Sequence, residues 1–254
     1  MIALKTPGEI DAMAASGAVV AEILASCRAA ATVGTSLKEL DDVAMDVLAR
    51  NGATSPFLNY QPRSAPIPFP AAICTSVNDA VLHGIPTSYR IVGGDLVSVD
   101  CGATIDGWVA DAAVSFVVGE ADPADLALVD ATQDALAAAI DAAVAGNRIG
   151  DLSAAIGAVC RSRGYGLNTD YGGHGVGNSM HEAPSVPNEG RPGRGLKLQP
   201  GLVLAIEPWF MAGGSDDYRI DADGWTIRSA DGSRTSHSEH SVAITDSGPR
   251  VLTR

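Results

Sequence analysis

The stretch VSVDCGATIDGWVADAAVSF, residues 97 to 116, constrains the fold more than any other. Two apolar runs flank Asp106-Gly107, the pair that a two-residue hairpin turn requires because both central residues need positive φ. Such a turn sets Ile105 opposite Trp108 and, further out, Asp100 opposite Ala113 and Gly102 opposite Asp111. Side chains alternate along a strand, so Asp100 and Gly102 share a face. Asp100 and Asp111 are then diagonal neighbours on one face, roughly 7–8 Å apart at Cα, provided no bulge breaks the parity. An isolated carboxylate on an apolar strand is ordinarily explained by an exposed sheet face. Two together, bracketed by Val97, Val99, Val109, Val114 and Phe116, call for a cation, because burying them unpaired costs energy or forces protonation.

Two further carboxylates stand in comparable positions. Glu207 ends the apolar run LVLAIEP, and Glu239 opens SEHSVAIT. The stretch GGHGVGNSMHEAP, residues 172 to 184, adds His174 amid four glycines, and His181 seven residues on. Four carboxylates and one imidazole suit Mn, Fe, Co or Zn rather than a thiolate site. Five donors exceed one tetrahedral ion, and bridging carboxylates permit two ions about 3.5–4 Å apart. Other catalytic signatures are missing: there is no HExxH, no GxSxG and no phosphate-binding glycine loop, and GHGVGN places its third glycine one residue too early for GxGxxG.

Around this set the chain reads as α+β. Thr6 with Glu9 and Ser36 with Glu39 form capping boxes, opening helices to about residue 31 and to Gly52. Asp122-Pro123 opens an Ala-rich helix ended by Gly146, and a fourth runs from about 151 to Gly164. Strand-like runs cover 71–77, 96–103, 107–118, 202–211, 224–229 and 239–245. The order of helices, strands, helices, strands suggests two similar halves rather than alternating βαβ units. GDLVSVD (94–100) and PGLVLAIE (200–207) echo each other as turn, apolar run and carboxylate. Residues 55–70, with five prolines, read as an irregular loop. A net charge of −13 argues against a nucleic-acid substrate, and Arg191, Arg194 and Lys197 read as a solvated loop. Four cysteines without close pairing, no signal peptide and no uninterrupted apolar span of membrane length point to a cytoplasmic protein with reduced thiols.

Taken in order, TSVNDAVLHGIP (75–86), VSVDCGATIDGWVAD (97–111), GHGVGNSMHEAP (173–184), AIEPW (205–209), DGWTIR (223–228) and SEHSVAIT (238–245) resemble the type I methionine aminopeptidases over nearly the whole chain. The resemblance implies the pita-bread fold in a single catalytic domain, residues 1–254, and removal of initiator methionine from nascent chains when the next residue is small. It implies two divalent ions: Asp100 on one, His174 and Glu207 on the other, Asp111 and Glu239 bridging. Glu207 would serve as general base, and His83 and His181 would contact the substrate's peptide group. Phe69, Cys74, Met180 and Trp225 fall where the family builds its methionine pocket.

On this reading His181 donates a hydrogen bond and is not a ligand, while the glycines bend the backbone so that His174 reaches a metal. His237 and His240 receive no role, and Cys101 packs on the opposite face from Asp100. Members often carry an aromatic at the position of Met180. The proline-rich loop reads as longer than in compact relatives, which leaves Tyr60 unplaced. A cytoplasmic monomer working at the ribosome, with no membrane or nucleic-acid partner, is expected. Since Ile2 is bulky, the chain should keep its own Met1. Two alternatives remain at this stage, an Xaa-Pro peptidase of the same fold and a non-catalytic peptide-binding relative.

Overall fold

The capping boxes form as the sequence dictates. A computed structural model describes residues 2–167 and 169–254; Met1, whose retention is expected, lies outside them. Helix α1 spans Pro7–Ala30; Glu9 N–H donates to Thr6 Oγ1, and Thr6 N–H donates to Glu9 Oε2 at 2.7 Å. Helix α2, Leu37–Arg50, repeats the device with Ser36 and Glu39, and Gly52 turns the chain away at φ 64°. Helix α3, Pro123–Ala142, stops short of Gly146 because the Asn147 side-chain amide donates to the Ala142 carbonyl and caps the end early. Helix α4, Ile149–Ser162, starts two residues sooner than expected, since Asp151 accepts from Arg148 N–H and fixes the first turn. By length and composition α1 could cross a membrane; in this fold it packs on the sheet, and half of its apolar window is buried.

The strands are β1 (Ile73–Val77), β2 (Ala80–Leu82), β3 (Leu96–Ile105), β4 (Trp108–Val117), β5 (Gly172–Gly175), β6 (Glu182–Pro187), β7 (Val203–Ile206), β8 (Trp209–Met211), β9 (Tyr218–Ile220), β10 (Ile227–Ser229), β11 (Thr235–His237), β12 (Glu239–Thr245) and β13 (Gly248–Val251). The Asp106-Gly107 hairpin forms in the expected register, Asp100 opposite Ala113 and Gly102 opposite Asp111, without a bulge. The run 202–211 is two strands rather than one, broken at Glu207-Pro208, where proline supplies no N–H. Only the end of 224–229 is extended, because the Asp223 carboxylate accepts from Trp225 and Thr226 N–H and holds a turn.

The main sheet runs β1-β3-β4-β12-β7-β5-β6, with β13 also on β12. Its two halves meet at β4 and β12, where Glu239 stands opposite Ala113. Helices α1 and α2 cover the first half through Val20, Ile23, Leu40 and Val47 against Ile73, Val97, Val99 and Cys101. Helices α3 and α4 cover the second through Leu128, Leu136, Leu152 and Ile156 against Leu204, Ile206, Val242 and Ile244. The echo between residues 94–100 and 200–207 thus has a structural counterpart. Gly94 and Gly201 both have φ near 90°, and each opens a central strand that leads to a carboxylate, Asp100 or Glu207.

Candidate metal centre and active site

The seam between the halves gathers the donors. Asp100 lies on β3, Asp111 on β4, His174 on β5 and Glu239 on β12, with Glu207 just past β7. His174 Nε2 is 3.9 Å from Asp111 Oδ2 and 3.7 Å from Glu207 Oε1. Donor atoms of Asp111, His174 and Glu239 lie within 4.8 Å of one another, as do those of Asp100, His237 and Glu239. The His174 Nδ1–H donates to the Gly175 carbonyl at 2.9 Å, which fixes the tautomer and leaves the Nε2 lone pair facing the carboxylates.

Electrostatics make this cluster costly without a cation. Burial pushes the Asp100 carboxyl up to about 7, and burial followed by the Asp100 charge takes Glu207 to about 8. Asp111 and Glu239 are held well above the carboxylate range by burial and by the other carboxylates. Asp100 Oδ1, Asp111 Oδ1 and Glu239 Oε1 are sealed from solvent without hydrogen-bond partners. Such orphaned oxygens are unfavourable alone and are what hard divalent cations coordinate, so the donor set fits metal.

The glycines around His174 act differently from the expectation. None of Gly172, Gly173, Gly175 or Gly177 has positive φ. The segment is a strand rather than a bent loop, and small residues are needed for close approach. A Cβ on Gly173 would lie 2.2 Å from the Ala205 carbonyl oxygen, and one on Gly175 would lie 2.4 Å from that of Ala183. His174 thereby slots between β6 and β7, pairing with Ser185 and Ala205.

The donors line a cavity of about 340 Å³. Phe57, Phe69, Cys74 and Trp225 form a buried apolar cluster on its wall, with Met180 packed against them. The proline-rich segment supplies much of that wall. Phe69 N–H donates to the Tyr60 carbonyl, Asn59 N–H to that of Phe69, and Trp225 Nε1–H to that of Ile67. These bonds place Tyr60, which the sequence left unassigned, 5.3 Å from the His181 ring and 6.5 Å from Trp225. Five prolines favour turns but do not report which side chain turns inward.

His83 and His181 also line the cavity. His83 sits at φ 56°, a strained region for a non-glycine residue, and burial with the neighbouring His181 lowers its pKa to about 4. The residue after it is tied to β1, where the Gly84 carbonyl accepts from Thr75 N–H and Gly84 N–H donates to Ser76 Oγ; the turn before β2 has its own braces. Asn78, at φ 60°, donates to Asp95 Oδ1, accepts from Leu96 N–H, and takes a short contact from Arg234. His181 lies exposed on the rim, 4.4 Å from the His174 ring, and the hydration it loses against the walls lowers its pKa. The Glu182 carboxylate beside it is clamped by the buried Lys5 ammonium at 2.7 Å.

Two histidines without an expected role separate clearly. His240 hydrogen-bonds Thr253 Oγ1, away from the cavity, whereas His237 is buried against the carboxylates, and burial pushes its pKa down to about 3. The chain passes from β11 to β12 at Ser238, so alternation along one strand did not place His237 beside Glu239 in the sequence.

Known proteins share this arrangement over its whole length. The model of metallopeptidase family M24 matches residues 11–246. Methionine aminopeptidase 1 of Mycobacterium tuberculosis is 50% identical, covering 98% of this chain and 94% of that one. The solved methionine aminopeptidase of Thermotoga maritima superposes with a TM-score of 0.95 at 38% identity, covering all of both chains. The prolidase of Pyrococcus furiosus, at 23% identity and TM-score 0.79, shares the fold alone, with this chain spanning 65% of its length. The curled antiparallel sheet backed by two helix pairs is the pita-bread fold, an α+β architecture. The chain belongs to metallopeptidase family M24, in its methionine aminopeptidase branch.

Proposed function

We propose that this hydrolase removes the initiator methionine from nascent protein N-termini when the following residue is small, using two divalent ions. The observation that carries the reading is the convergence of four carboxylates and His174 beside an apolar wall of Phe69, Cys74, Met180 and Trp225. Asp100 would hold one ion, His174 and Glu207 the other, and Asp111 and Glu239 both. When bound, the ions would supply Lewis acidity that lowers the pKa of an attacking water toward about 7 and a docking point for a free α-amine. Glu207, which lines the cavity among the other donors, accepts a proton from the attacking water and passes it to the leaving nitrogen. His181 at the rim donates to the carbonyl oxygen as it gains negative charge, and neutral His83 orients the scissile amide. The thioether of a substrate methionine fits a wall containing the soft, unbranched Met180 and aromatic rings.

The continuous sheet across the seam supports one catalytic domain over residues 1–254. We place the enzyme in the cytoplasm as a monomer meeting its substrates at the ribosome, with neither membrane nor nucleic acid as substrate. Methionine release from Met-Gly-Met, measured with Mn, Fe, Co and Zn against release from Xaa-Pro peptides, tests the reading. Release confined to the methionyl peptide and abolished by chelation is expected. Comparable turnover of Xaa-Pro peptides would move the enzyme to the prolidase branch, and metal-free protein without turnover would leave a peptide-binding relative.

A further inference from the structure

We propose that His237 is a sixth donor at the dinuclear centre, a second imidazole that completes the subsite formed by Asp100 and Glu239. The inference rests on the two-ion reading above.

His237 is 1% exposed, and its Nε2 is sealed from solvent with no hydrogen-bond partner. That nitrogen stands 3.7 Å from Glu239 Oε2 and 3.8 Å from Glu207 Oε2. Both separations are too long for a hydrogen bond. The separation from Glu239 matches donors that share an ion, because ligands about 2.0–2.2 Å from one metal stand roughly 3–4 Å from each other. His174 Nε2 shows the same relation to its own neighbours, at 3.9 Å from Asp111 and 3.7 Å from Glu207.

Two triplets of donors result, Asp111-His174-Glu239 and Asp100-His237-Glu239. Each holds one aspartate and one imidazole, and Glu239 belongs to both. The backbone fixes His237 in this place. Its N–H donates to Ser115 Oγ at 2.9 Å, and its carbonyl accepts from the same hydroxyl at 2.7 Å. Ser115 in turn meets Ser98 Oγ at 2.6 Å, so His237 is tied to the hairpin that carries Asp100 and Asp111.

One nitrogen at each ion makes the second subsite richer than carboxylates alone and favours metals that suit imidazole, such as Co and Zn, over Mn. Titration of the full-length metal-free protein with Co(II), followed by calorimetry and by proton NMR of paramagnetically shifted, exchangeable imidazole N–H signals, tests this. Wild-type protein with two bound ions should show two such signals. His237→Gln should lose one, keep the other, and bind its second ion at least 10-fold more weakly; His240→Gln should change neither. Two ions with a single imidazole signal in the wild type overturn the inference alone, whatever the variants do. Unchanged second-ion affinity and two retained signals in His237→Gln also overturn it. A wild-type protein that takes up only one ion and shows one signal overturns the dinuclear reading together with it.

Discussion

The two halves of the sheet present donors to the same centre by different physical means. In the first, Asp100 and Asp111 ride on neighbouring strands joined by a two-residue turn, so local sequence fixes their spacing. In the second, His174 and Glu207 come from β5 and the end of β7, strands separated by a long excursion, and the pairing of β5 with β6 is irregular at His174-Gly175. The first depends on a register that alternation makes hard to slip. The second depends on backbone approach, since Gly173 and Gly175 leave no room for a side chain. A pseudosymmetric fold can therefore be half locally encoded and half encoded by what must be absent at contacts distant in sequence.

The largest effects should come from removing a donor on either side. Asp111→Ala should abolish full metal stoichiometry and lower turnover by more than the roughly 100-fold that loss of an outer-shell partner produces. His174→Ala should match it. Metal analysis with steady-state kinetics checks both; full activity with two ions bound in either variant would break the equivalence of the halves. Next in size is His83→Ala, expected to lower kcat by about 100-fold or more with metal content unchanged, as for loss of a positioned hydrogen-bond donor. An unchanged kcat would remove His83 from the substrate's peptide group.

How much of this was legible in the sequence follows the same division. Capping residues named the starts of three of the four helices, and Asp106-Gly107 named the hairpin and its register, because these signals act within a few residues. The short strands at 80–82, 218–220, 235–237 and 248–251 carry too few residues for a period to show, and those at 80–82 and 235–237 pair with strands far away in sequence. Glycines 172–177 read as bending residues, since sequence does not distinguish a glycine needed for φ from one needed for space. Tyr60 and His237 were missed for a related reason: a proline-rich segment and a serine-rich strand do not announce which side chain faces a cavity. The gathering of Asp100, Asp111, His174, Glu207 and Glu239 was expected from buried-strand chemistry and family resemblance together; their separate roles remain proposals to be broken as above.

A smaller effect isolates the contribution of close approach. Gly173→Ala drives a methyl group against a main-chain oxygen, which cannot move without shifting β7, so a loss of about 1–3 kcal/mol is expected, the usual cost of overpacking. Gly102→Ala in the first half meets side chains instead, Pro56 at 2.6 Å and Phe57 at 3.2 Å, rather than the main chain of a central strand, and should cost less. Denaturant unfolding of the two variants decides; equal losses would mean that the first half is as tightly packed as the second.

The gentlest test compares the halves by pH in metal-free protein. Folding raises the Asp100 carboxyl to about 7 and Glu207 to about 8 from ordinary values near 4. A carboxyl with a raised folded-state pKa contributes stability that is complete below its unfolded value and is lost as pH rises through the folded one. The buried histidines have the opposite sign: with folded values lowered to about 4, His83 and His174 contribute above 6.5 and lose that contribution toward acid. Between pH 7 and 8.5 the carboxylates therefore dominate, and the melting temperature should fall by a few degrees, at about 2–4 °C per kcal/mol for a chain of this size. Divalent metal should remove the decline. The responses to substitution should differ between halves, because the Asp100 charge raises Glu207 whereas burial alone raises Asp100. Asp100→Asn should shift what remains of the decline to lower pH, while Glu207→Gln should leave the step near 7 in place. Identical pH profiles for the two variants would show that the four carboxylates titrate as one undivided group, without a first and a second half.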